Sequence, residues 1–141
     1  MTKELLVTKE LNREMIDAGS ALSEKLESKN FDATAVLWLY FDEFERWRIV
    51  VGSPRVDKLG PRKVYEEIQT ILDDMEDDAS GLRLMNIAVV GDNKSPVAAL
   101  RREASELGGI EEGRVSGPVS RDYIVDSWIY RVKPAEKKKR K

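Results

Sequence analysis

Residues 33–54 read ATAVLWLYF, DEFER and WRIVVGSP in succession. Two runs of β-branched and aromatic residues flank a charged stretch, a pattern that predicts a β-hairpin. The first strand is expected at Ala35 to Phe41, the second at Trp47 to Val51, and the turn at Asp42 to Arg46. That turn is too long for the two-residue loop of a tight hairpin. Along the first strand Val36, Trp38 and Tyr40 share one face, and Leu37, Leu39 and Phe41 share the other. A strand apolar on both faces belongs in the middle of a covered sheet, or at a contact between copies. The second strand alternates, with Trp47, Ile49 and Val51 on one side and Arg48 on the other. Pro54, lacking an N–H, should end it.

On the N-terminal side, Leu11, Met15, Ala18, Leu22 and Leu26 recur at steps of three and four. They predict a helix over Thr8 to Lys29, capped by Thr8, with Glu10 in its first turn and Asn30 as its stop. Gly19 falls in its middle, where it marks a close crossing. On the other side, Gly60-Pro61 opens a second helix with Val64, Ile68, Ile71, Leu72 and Met75 as its apolar stripe. Leu82 to Val90 reads as a third strand. Ser95-Pro96 reads as the cap and first turn of a shorter helix closed by Gly108-Gly109. A short strand is expected at Arg114 to Ser116 and a last one at Tyr123 to Val132. In that last strand Ile124, Trp128, Tyr130 and Val132 are assigned to one face, and Tyr123, Val125 and Ile129 to the other.

The resulting order is α-β-β-α-β-α-(β)-β. It predicts an α+β domain over residues 1–133: a mixed or mainly antiparallel sheet of four to five strands with helices packed on it. Residues 134–141 are expected to form a disordered basic tail.

Composition narrows the chemistry. The chain of 141 residues suffices for one domain with a core. It contains no cysteine and no histidine, which excludes disulfides, a Ser-His-Asp triad, a cysteine nucleophile and ordinary His/Cys zinc sites. No apolar run approaches the roughly 20 residues of a spanning helix. The N-terminal residues lack a signal-peptide core, so a cytoplasmic location without a membrane partner is the expectation. Residues 1–132 carry 18 basic and 25 acidic side chains, and 133–141 carry six and one, so an acidic body precedes a basic end.

Candidate sites follow from charge. Lys137, Lys138, Lys139, Arg140 and Lys141 form a run that suits a phosphate backbone, though an acidic body would repel the same polyanion. Arg62 and Lys63 at a helix start, with Arg55 and Lys58 before them, form a second anion- or nucleic-acid-binding candidate. The acids Asp73, Asp74, Glu76, Asp77 and Asp78 lack the spacing of a calcium loop and read as a solvated helix end. Asp92 and Asp126 could hold Mg²⁺ in a phosphodiesterase if the fold brought them together. Trp38, Trp47, Trp128, Tyr40, Tyr123 and Tyr130 lie on predicted strands, where rings fill a core more often than they stack on a ligand. No catalytic residue, metal ligand or cofactor is assigned. The reading is a small non-enzymatic domain that binds protein, with a second copy of itself as the first expectation. A nucleic-acid accessory role through the tail is the alternative, and the phosphodiesterase is the second.

Overall fold

The computed structural model describes residues 5–75, 81–119 and 122–135. Its elements are α1 (Arg13–Ser28), β1 (Ala35–Phe41), β2 (Arg46–Ser53), α2 (Arg55–Leu59), α3 (Pro61–Asp74), a 3₁₀ turn (Leu84–Asn86), β3 (Ile87–Gly91), α4 (Val97–Leu107), β4 (Gly113–Val119) and β5 (Asp122–Val132). The strands form one five-stranded mixed sheet in the order β3-β2-β1-β5-β4. Three pairings are antiparallel, and β2 runs parallel to β3. The fold is α+β.

The hairpin occupies the middle of the sheet, with β1 paired to β2 on one side and to β5 on the other. Both faces of β1 are covered from within the chain. Val36 and Trp38 join a core with Trp47 and Ile49 of β2 and with Met15, Leu22 and Leu26 of α1; Val64, Ile68 and Ile71 of α3 complete it. Ala35 and Leu37 join a second core with Val50, Ile129 and Val97, Leu100 and Ala104 of α4. Trp38 is fully buried, and its indole N–H donates to Met15 O at 2.8 Å. Burial of such a ring stabilises by roughly 1.5–3 kcal/mol, and the hydrogen bond removes the cost of an orphaned donor.

Helix α1 is shorter than the apolar stripe predicts. Asn12, not Thr8, is its N-cap: Asn12 Oδ1 accepts the Met15 N–H at 2.8 Å. Thr8 instead accepts a hydrogen bond from Asn12 Nδ2 at 3.0 Å. Residues 5–12 stay out of the helix because other partners take their backbone. Lys9 O accepts the Trp47 indole N–H at 2.8 Å, and Leu5 N–H donates to Gly81 O at 2.9 Å. Asn30 is the stop, as expected. It is left-handed (φ 55°), its N–H donates to Glu27 O, and the Phe31 N–H donates to Leu26 O. This is a Schellman closure, and Phe31 and Leu26 share the same core.

Other boundaries differ for local reasons. The segment before α3 forms the short helix α2, whose C-cap Gly60 (φ 85°) is also the N-cap of α3. Residues 84–86 leave the strand path because Asn86 Oδ1 accepts the Arg83 N–H at 2.9 Å and closes a turn. Pro96 sits at the N-cap of α4, one position earlier than predicted. Strand β4 is seven residues long, since the 11-residue β5 templates more of it than its glycines suggest.

The face assignment along β5 is half right. Trp128 and Tyr130 pack with the first core as expected, but Ile124 and Val132 belong to the second core with Ile129. The pairing shifts register beside Val36/Leu37 and again beside Val115/Gly117. Each irregularity inserts a residue in β5 and inverts the alternation beyond it. The side chains of Tyr123 and Val125 lie outside the described ones.

Gly19 is the close crossing the sequence implies. A methyl group there would collide with Tyr130, whose hydroxyl donates to Ile16 O at 2.6 Å. Burial raises the pKa of that hydroxyl. Helix propensity alone favours Gly19→Ala by about 1 kcal/mol, whereas overpacking costs typically about 1–3 kcal/mol. We expect a net loss of stability in urea denaturation; an unchanged or raised midpoint would contradict the crossing.

Candidate functional site

Of the cations that the sequence singles out, Arg55 is engaged within the chain. Arg55, at the start of α2, is held by Glu67 of α3 through two hydrogen bonds of 3.0 and 2.5 Å. Its guanidinium also lies 5.6 Å from the centre of the Phe31 ring. The hydrogen bond to Glu67 raises its pKa. Arg55 is thus a clamp between α2 and α3, already neutralised. Lys58, Arg62 and Lys63 are exposed, and Arg62 reaches Glu66 only at 3.8 Å. Lys137, Lys138, Lys139, Arg140 and Lys141 lie outside the described residues, as do Glu76, Asp77 and Asp78. Of the acidic run, Asp73 accepts from Gln69, and Asp74 is bridged to Lys29 at 2.9 Å, which lowers its pKa.

Asp92 and Asp126 are not brought together. Asp92 follows β3 and Asp126 lies on β5, with β2 and β1 between them, a lateral offset of roughly 14 Å at ordinary strand spacing, and the register sets them toward opposite ends of the strands. Each has its own arginine. Asp92 bridges Arg101 at 3.0 Å in a largely buried pair, and Arg101 also donates to Lys133 O and Pro134 O. Asp126 takes two hydrogen bonds from Arg114, at 2.9 and 2.5 Å. Among the described residues no three acidic side chains gather in a metal-binding group.

The aromatic residues divide between core and surface. Trp38 and Trp47 are buried; Tyr40, Trp128 and Tyr130 are half-buried. Trp47 packs edge-on against Tyr40 with ring centres 5.5 Å apart, and Arg114 lies 5.9 Å from its ring. On its outer side Trp47 floors a groove of about 430 Å³. One wall is the non-helical segment Val7, Thr8 and Lys9, which the Trp47 indole pins through Lys9 O. The other is the 3₁₀ turn with Met85 and Asn86, and the hairpin residues Glu45 and Arg46 close one end. Lys9 and Glu45 face each other across the rim at 3.8 Å.

Among the described residues five large apolar side chains are exposed: Leu6, Phe44, Leu59, Met85 and Leu107. Met85 lines the groove, whereas Phe44 packs against Phe41, ring centres 6.5 Å apart, and Phe41 belongs to the second core on the other face of the sheet. Two other depressions, of about 250 and 360 Å³, flank Asn30. In each an arginine is already engaged, Arg131 with Glu27 in one and Arg55 with Glu67 in the other. Sequence reasoning passes over Lys9, Glu45 and Met85, because it places residues 8–11 in a helix and Met85 in a strand. The run Leu5-Leu6-Val7, too apolar for a solvated helix lead-in, was the available signal.

Comparison with known protein families, with curated proteins and with solved structures finds no match. Among the described residues no helix is long and apolar enough to cross a membrane.

The Arg114–Asp126 pair beside Trp47 makes a pH test. Its hydrogen bonds lower the Asp126 pKa below the ordinary 3.8. The folded state therefore releases this proton more readily than the unfolded chain. Its contribution is complete above the unfolded value and is lost as pH falls through the lowered one. The pair is partly exposed, so Asp126→Asn should cost only about 0.5–1 kcal/mol at neutral pH. That difference from the parent chain should close below pH of about 4. A difference that stays constant in urea titrations down to acid pH would contradict the pairing.

Proposed function

We propose that the chain is a small non-enzymatic protein-binding domain, and that a partner's side chains enter the Trp47 groove. The observation that carries this reading is the groove itself, with the exposed side chain of Met85 in its lining beside Trp47. A buried tryptophan floor, an adaptable methionine wall and a charged rim match the anatomy of an interface hot spot. Lys9, Glu45 and Arg46 supply the polar margin that fixes orientation.

Absence of histidine and cysteine supports binding over bond-making, as does the engagement of Asp92 and Asp126 by separate arginines. The two-sided apolarity of β1 no longer argues for a second copy, since α1, α3 and α4 cover it.

Selection of a random peptide library on the full chain tests the reading. The selected peptides should share an apolar anchor and should lose about tenfold in affinity on Met85→Asp. Met85 is exposed, so that change leaves the core intact. No enriched peptide, or peptides indifferent to Met85→Asp, would contradict the proposal.

A further inference from the structure

Resting on the groove as a protein-binding site, we infer that its occupant is a second copy of the chain, related by a two-fold axis. A two-fold contact requires a patch that complements itself, with knob and hole on the same surface. The Trp47 groove is the hole, and Met85, 64% exposed on its wall, is the knob. A methionine side chain is flexible enough to leave its own groove and fill its neighbour's.

Charge points the same way. The rim carries Lys9 and Arg46 against Glu45, so each copy presents both signs. Within one chain Lys9 and Glu45 meet only at 3.8 Å and remain 77% and 71% exposed. Such a pair contributes little by itself and is free to exchange. About a two-fold axis, Lys9 of each copy faces Glu45 of the other, and both pairs form at once.

The sheet edge next to this region is closed to pairing at one point. On the edge strand β3, the Val89 N–H already donates to the Tyr65 hydroxyl at 2.9 Å. Association by extending β3 is therefore obstructed at that residue.

Sedimentation or light scattering of the full chain, up to about 100 μM, tests the inference. The parent chain should dimerise with increasing concentration, and Met85→Asp should weaken the dimer about tenfold. Lys9→Glu alone and Glu45→Lys alone should each weaken it about three- to tenfold, because each opposes like charges across the axis. Mixed one to one, these two variants should form a heterodimer of parental strength, since every cross-pair is again opposite in sign. An intrachain role of the Lys9–Glu45 pair cannot produce that rescue. A parent chain that stays monomeric overturns the second copy, as does a dimer indifferent to Met85→Asp or unrescued by mixing. A monomer whose groove still selects peptides would overturn this inference alone and leave the protein-binding reading standing.

Discussion

Ala35 and Leu37 point to one side of β1 and Val36 and Trp38 to the other, and all four are 1% exposed or less. A strand with no wet face needs hydrogen-bonded neighbours on both edges and apolar cover on both faces. The rest of the chain supplies them. Strand β2 takes one edge through the hairpin, and β5 takes the other from the far end of the sequence. After β2 the chain leaves through α2 and α3 toward the Trp38 side; after β3 it leaves through α4 toward the Leu37 side. Two small residues permit the close packing. Gly19 admits Tyr130, and Gly52 admits Val97, which would lie 2.6 Å from any Cβ placed there.

Much of this was legible in the sequence because apolar alternation and the end signals of helices agree with one another. The span of β1, the sides of Val36 to Phe41, Pro61 at the start of α3 and Gly108 at the end of α4 all follow from local chemistry. What was hidden depends on contacts distant in sequence. The shifts of register that turn Ile124 and Val132 over arise from how β5 fits β1 and β4, and alternation read along one strand cannot detect them. The N-terminal segment carries a helical stripe, yet the Trp47 indole, 38 residues away, takes the Lys9 carbonyl. Tertiary partners outweigh a propensity worth only tenths of a kcal/mol per residue.

The candidate site was legible only in negatives. Three of the charged residues that attract attention in the sequence are occupied by the fold: Arg55 by Glu67, Asp92 by Arg101, Asp126 by Arg114. The groove instead results from the same segment that leaves α1. By passing Trp47 outside any helix it builds a wall, and Leu6 and, on the 3₁₀ turn, Met85 are left in water. A sequence shows apolar residues, but not which of them the fold fails to cover.

The central claim is that β1 is the most deeply held element, sealed on both faces and both edges. Native-state hydrogen exchange on the full chain measures this residue by residue. Amides of Val36, Leu37 and Trp38 should exchange only through global unfolding, with the full denaturant dependence, while those of Arg114 and Ser116 on the edge strand β4 should open locally and faster. Exchange from β1 as rapid as from β4, with little denaturant dependence, would contradict the account.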